Sequence, residues 1–363
     1  MKRISLLLLL AAPAVLPAQT PVRGFESIVD SVVGSAMRSR QIPGAAVGII
    51  QDGVLTFAKG YGVTNLQTRR PVTSETIFQI ASTTKPFTAA VVLQLAREGK
   101  VQLDAPVRRY LPWLADKYSP ITIRQLLQHT SGVRYDLRRQ NVDEFSIEEF
   151  KARLDTAPLA FPAGQHWQYS NTGYTLLSLA VEAVAGKDFG AVLHERIFEP
   201  LGMRNTRYRA PKQNDELHAT GYDLVADSLH EAPHVFSGWG NSGIESTVVD
   251  LAKWVLALER GHVVPGPVAR EMERPGKLAN GQPIAFQFAG APASYGMGWF
   301  ITRFRDRDLI THGGAVAGFN SVVNRFPGLT IIVLSNGKQG TDRIGQANFL
   351  ADAIFVAIID KER

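Results

Sequence analysis

Ser82-Thr83-Thr84-Lys85 sets a hydroxyl and an amine three positions apart. On a helix that spacing puts both side chains on one face, so the amine can reach the hydroxyl. A serine hydroxyl is a weak nucleophile until a neighbouring base takes its proton. The apolar segment 77–81 precedes the pair, and an apolar run over residues 86–95, long enough for a buried helix, follows it. Ser82 would therefore stand at a helix start, where the first N–H groups have no helical partner and the dipole is positive. Pro86 is compatible with that, because first-turn N–H groups are unpaired in any case. A second Ser-x-x-Lys, Ser335 to Lys338, follows a strand-like run and contains Asn336-Gly337, which reads as a turn. It lacks the helix that would bring its two side chains together.

Two later segments supply the rest of an acyl-transfer site. Tyr169-Ser170-Asn171 lies in a Pro/Gly-containing loop, and His312-Gly313-Gly314 ends a predicted strand that begins at Leu309. Acyl transfer needs a nucleophile, a proton acceptor, a donor to the leaving group and an oxyanion pocket. Ser82, Lys85 with Tyr169, and the backbone N–H groups of Ser82 and Ala315 could supply these. Gly313 and Gly314 would allow a substrate close to the strand edge.

In these residues the chain resembles the serine β-lactamase and penicillin-recognising superfamily, in the branch of class C β-lactamases. D-Ala-D-Ala carboxypeptidases, D-amino-acid peptidases and β-lactamase-like esterases share that branch. The resemblance extends from about residue 44 to 352 through His129-Thr130-Ser131-Gly132, Tyr169 to Tyr174, Pro200-Leu201-Gly202-Met203, Tyr295 to Trp299 and His312-Gly313-Gly314. It implies that Ser82 is the nucleophile, Lys85 its partner, Tyr169 the second acid/base and Asn171 a hydrogen-bonding residue. His312 starts the third motif, and no cofactor or metal is implied. The related lactamase set reads S-x-x-K, S-D-N and K-T-G. Here Tyr169 replaces the second-motif Ser, as in the class C branch, and His312 replaces the third-motif Lys. Lys338-Gln339-Gly340 falls after the last strand and is not that motif. The resemblance points to an acyl-Ser82 hydrolase of esters or D-amino-acid peptides. A class C-like β-lactamase, and a penicillin- or cell-wall-binding protein with a vestigial site, are the alternatives. A Tyr169 phenolate would have to form below the ordinary tyrosine pKa of about 10. Lys85 alone would assist it, because an ordinary His is mostly neutral above about pH 6.5. The site would therefore hold a less acidic Tyr169 or use Lys85 as the main base, and either case implies an alkaline-shifted activity optimum.

The elements that must position these groups are readable from periodicity. Residues 24–40 have helical spacing of apolar positions. Strand-like runs 45–50 and 54–58 flank Asp52-Gly53, a hairpin signal. Helices are expected over 121–128, 146–154, 173–185, 189–198 and 248–259, and strands over 298–304, 309–312, 319–326 and 329–334. A last amphipathic helix runs through Ile344, Ala347, Ala351, Ile354, Phe355 and Ile358. The expected fold is α+β and β-lactamase/transpeptidase-like: one antiparallel sheet built from both termini, flanked by helices, with a large helical insertion. The α/β lobe would take about 19–75 and 285–363, and the helical lobe about 76–284. A cleft between them would suit a small-molecule ester, peptide or β-lactam substrate.

Bulk properties narrow the setting. Lys2 and Arg3 followed by an apolar stretch, with Ala18 before Gln19, read as a signal peptide over residues 1–18. Its removal would lower the net charge from +6 to +4. That mild charge, without a basic run, points away from nucleic acid and from stable membrane association. An exported chain with no Cys suits a bacterial periplasm, or secretion, and a fold stabilised by its core. At 45% hydrophobic and 20% charged residues, such a core is available. Nothing in the sequence sets an oligomeric state. Other chemistries lack their marks: no G-x-S-x-G elbow and no phosphate-binding Gly-rich loop occurs. His230 and His234 stand four apart, but Pro233 between them opposes a helical metal pair.

Overall fold

The computed structural model describes residues 25–137, 146–211, 213, 215–234, 238–338 and 345–362. The expected signal peptide and part of the loop after Gly132 lie outside these residues. The chain opens with helix α1 (Glu26–Ser39) and the hairpin β1 (Gly44–Gln51) and β2 (Val54–Gly62). Helices α2 (Lys85–Arg97), α3 (Asn171–Ala185) and α4 (Val248–Glu259) follow, among shorter ones. The chain then returns to strands β3 (Phe286–Phe288), β4 (Ala291–Tyr295), β5 (Phe300–Phe304), β6 (Arg307–Val316), β7 (Phe319–Phe326) and β8 (Leu329–Ser335). Helix α5 (Gln346–Glu362) ends the described chain.

These strands form one eight-stranded sheet, in the order β2-β1-β8-β7-β6-β5-β4-β3. Every neighbouring pair is antiparallel, so the sheet is built from both ends of the chain. β1 is buried on both faces, and its alternation serves two cores. Ala45, Val47 and Ile49 face Val29 and Val33 of α1 and Leu350 and Ile354 of α5. Ala46 and Ile50 join the larger core with α2, α3 and α4. A methyl at Gly48 would meet Val248 Cβ at 3.3 Å, which shows how closely α4 lies on β1. Among the described residues no helix is long and apolar enough to cross a membrane.

The α+β architecture is the one the sequence implies, with local differences. The helical insertion also contributes short strands to two further three-stranded sheets, and Gly337–Lys338, which reads as lying after the last strand, pairs with Tyr222–Asp223. β3 and β4 occupy a segment that reads as loop. Each is short, and pairing at the sheet's far edge forms them rather than intrinsic propensity. β6 does not end at His312 but runs on to Val316, because Gly313 and Gly314 pair with Val322 and Ser321. α3 begins at Asn171, two residues early, because Ser170 Oγ caps it by accepting from Gly173 N at 2.9 Å. His230 lies in the short strand Ser228–Glu231, so the His230–His234 spacing is not helical.

Candidate active site

The short strand Phe78–Gln79 leads into one tight turn, Ala81–Thr84, and then into α2. Ala81 has φ +46°, a region that costs a residue with a Cβ of order 1–3 kcal/mol. The surrounding contacts hold it there. Ser321 Oγ on β7 donates to Ile80 O at 2.7 Å and accepts from Thr83 Oγ1 at 2.8 Å. Within this turn Ser82 is half-buried while Thr83, Thr84 and Lys85 are fully buried, so only the serine reaches the cleft.

Lys85 is completely buried, and its ammonium has three acceptors. Nζ donates to Ser82 Oγ at 3.0 Å, to Asn171 Oδ1 at 2.8 Å and to the Asn241 carbonyl at 2.8 Å. A buried charge is tolerated only with such pairing. Asn171 is itself oriented, because its Nδ2 donates to Asp136 Oδ2 at 3.1 Å and so turns Oδ1 toward Lys85. Asn241 is tied by its Nδ2 to Thr175 Oγ1 of α3 at 2.8 Å. Neither Asp136 nor Asn241 is marked by sequence spacing. Asn241 acts through a carbonyl that any residue would supply, in a Gly-rich turn whose only prominent residue is Trp239.

Tyr169 completes the group. Its half-buried ring lies 4.7 Å from Lys85 Nζ and stacks on Phe300 at 6.0 Å between ring centres. His129 holds the backbone on both sides of it: its carbonyl accepts from Gln168 N at 2.9 Å and its Nδ1 from Ser170 N at 3.1 Å. An accepting Nδ1 places the ring proton on Nε2. Burial first, then the Lys85 charge, push the His129 pKa well down, so it is a neutral positioning residue. The sequence shows His129 only as part of a matching stretch, without a role.

His312 faces the same aromatic group, 6.2 Å from the Tyr169 ring. Its Nδ1–H donates to Gly313 O at 2.8 Å, which leaves Nε2 to accept from Tyr295 OH at 3.2 Å. Burial, with Lys85 adding to it, lowers the His312 pKa to about 3 despite the Gly313 carbonyl. The third-motif position therefore carries no charge at working pH.

β5 pairs with β6 only up to Thr311, so the β6 edge beyond it is open on that side. Ala317-Gly318 closes the β6–β7 hairpin, and ladder alternation counted back from Val316–Phe319 makes Ala315–Asn320 a non-bonded pair. The N–H of exposed Ala315 thus points away from β7, along the open edge. A methyl on Gly314 would lie 2.1 Å from Ile80 O and 2.9 Å from Ser82 N, so only glycine lets this strand pass the Ser82 turn. Gly313 faces the other way, toward Asn348 of α5. Ser82, Lys85, Tyr169, Asn171, His312, Gly314 and Ala315 are thus brought together, whereas Gly313 faces away, and the space freed at Gly314 is taken by the Ser82 turn rather than left for substrate. Among the described residues, no set of three His, Cys, Asp or Glu side chains has metal-holding geometry.

Known proteins share this framework. Esterase EstB of Burkholderia gladioli is 35% identical over 196 residues, covering 49% of this chain and 50% of that protein. Protein flp of Staphylococcus aureus (strain MW2) is 25% identical over 323 residues, 85% of this chain and 62% of that one. The chain thus spans less than two thirds of the length of these curated relatives. Among solved structures, an octameric penicillin-binding protein homologue from Pyrococcus abyssi superposes with TM-score 0.77 at 28% identity, covering 92% of this chain and 77% of that one. D-amino acid amidase from Ochrobactrum anthropi SV3 gives TM-score 0.78 at 23% identity over 93% of this chain and 100% of that one, a likeness of fold alone. The Beta-lactamase family model matches residues 29–354, nearly the whole described chain, and the protein belongs to that family.

Proposed function

We propose that the protein is a serine hydrolase working through an acyl-Ser82 intermediate on esters or on D-amino-acid amides and peptides. The observation that carries this is Lys85 Nζ, buried and held 3.0 Å from the oxygen of a half-exposed Ser82. Three acceptors suit an ammonium with all three protons engaged. On this reading Ser82 Oγ accepts from Lys85, and its own proton goes to the Tyr169 phenolate. Ser82 Oγ attacks the carbonyl carbon, and the N–H groups of Ser82 and Ala315 hold the developing oxyanion. Tyr169 returns the proton to the leaving oxygen or nitrogen as that bond breaks. Water then adds to the acyl carbon and gives its proton to Tyr169, which passes it to Ser82 as the acid departs. The relative named as an esterase, and membership of the Beta-lactamase family, support the reaction class.

A turnover panel tests the reading. A short-chain nitrophenyl ester or a D-alanyl-D-alanine peptide should be hydrolysed faster than a chromogenic cephalosporin. The cephalosporin carries a carboxylate, and the neutral, buried His312 offers it no countercharge. A cephalosporin that outpaces every ester and peptide would establish the β-lactamase alternative. No turnover and no acyl adduct on Ser82 by intact mass would favour the vestigial one.

His312→Lys tests the electrostatics of the same site. An ammonium beside Tyr169 favours its phenolate and lowers the pH at which it ionises. The acid limb of the kcat/KM profile should therefore move to lower pH. An unmoved limb in a folded variant would show that position 312 does not tune the base.

A further inference from the structure

Behind the Ser82 turn, strand Phe78–Gln79 pairs with Ile244–Ser246, and Gln79 stands opposite Glu245. The two side chains are 6% and 4% exposed. Their hydrogen bonds can be accounted for. Gln79 Nε2 lies 3.0 Å from His234 Nδ1 and 3.4 Å from Glu245 Oε1. His234 Nε2 lies 3.1 Å from the Ala210 carbonyl, which only an N–H can satisfy, so Nδ1 is the acceptor from Gln79. His218 likewise directs Nδ1 to Asp215 Oδ1 at 2.6 Å, while its Nε2 meets the Arg207 guanidinium. With those donors engaged, Gln79 Oε1 and Glu245 Oε2 are buried acceptors without a hydrogen-bond partner.

Both side chains line a cavity of about 20 Å³. A second recess of about 10 Å³ shares these two side chains and is bordered by Ala81 and Val316, the neighbours of Ser82 and Ala315. Unpartnered buried acceptors are costly, and a cavity lined by them calls for a donor. The volume admits a group the size of one water. A carboxylate or carbonyl would be set against the Gln79 and Glu245 acceptors, and a guanidinium is too large. A primary ammonium has the size, three donors and the charge that complements Glu245. We propose that this cavity is a subsite for a primary ammonium group carried by the acyl part of the substrate. The inference rests on the reading of Ser82 as nucleophile. Burial pushes the Glu245 pKa up to about 7, against the Gln79 hydrogen bond and the Arg207 charge. The His234 and His218 Nε2 atoms lie 3.5 Å and 3.8 Å from its oxygens, but each has a shorter contact elsewhere, to the Ala210 carbonyl and to Arg207.

The test is a series of 4-nitroanilides whose acyl part ends in an ammonium one to six carbons from the carbonyl. Each is matched with its methyl-terminated isostere. At one chain length the ammonium form should be preferred at least tenfold in kcat/KM. That ratio should fall toward one in Glu245→Gln and in Gln79→Met, with folding followed by circular dichroism. Should Glu245→Gln not fold, Gln79→Met gives the same reading. A series with turnover but no ammonium preference at any length would show that the cavity holds only water, and the inference fails alone. A preference that survives in the folded variants overturns it as well. No turnover with any member overturns this inference, and the ester and peptide of the turnover panel then decide the hydrolase reading separately.

Discussion

Ser82→Ala is expected to lower kcat/KM by about four orders of magnitude or more, leaving a folded protein. The Ser82 hydroxyl is half-exposed and accepts a hydrogen bond from Lys85, so its removal leaves no cavity in the core. The turn remains fastened through Ile80, Thr83 and Ser321. Ser335→Ala is the matched control, since it alters the other Ser-x-x-Lys. Ser335 Oγ accepts from Gly337 N at 3.1 Å and contacts Gln346 Oε1 at 3.1 Å. Its loss should cost stability of order 1 kcal/mol without lowering turnover. Retention of a tenth of wild-type kcat/KM in Ser82→Ala would remove it as nucleophile.

Lys85→Met should be nearly as severe, with a loss of about a thousandfold or more. Methionine fills the same buried path but cannot donate to Ser82 Oγ, Asn171 Oδ1 and the Asn241 carbonyl. Lys85→Arg separates charge from geometry. It keeps the positive charge, but a planar fork of donors does not match three acceptors arranged around a single nitrogen. Both variants are therefore expected to be inactive in steady-state ester hydrolysis. Full activity in Lys85→Arg would mean that charge alone suffices and that the three-acceptor arrangement is incidental.

Much of this site is legible in the sequence, because its chemistry depends on side chains at fixed spacing. Ser82 and Lys85 share a helix face, and the bounds 248–259 read from apolar periodicity are those of α4. The missing parts act through groups without a sequence signature. Asn241 contributes a backbone carbonyl, and His129 sets Tyr169 through a carbonyl and one ring nitrogen. Asp136 orients Asn171 from a distant loop. The length of β6 was hidden for a related reason. Gly313-Gly314 reads as a strand end by propensity, yet pairing with β7 and the tight passage by the Ser82 turn require small residues inside the strand.

The sheet order has a consequence for how the molecule forms. Ala45 of β1 pairs with Ser335 of β8, and Gln51 with Leu329. A chain emerging from the ribosome thus presents β1 and β2 as a lone hairpin, marginal by itself, until nearly all later residues have been made. The loop to be closed spans both Ser82 and Tyr169, so the cleft and the sheet are completed in the same late event. Folding dominated by such distant pairings is slow, and an unpaired apolar β1 edge is open to aggregation meanwhile. Losing the last strands would therefore not trim the protein but remove β1's central partner, and with it the frame on which the Ser82 turn is hung.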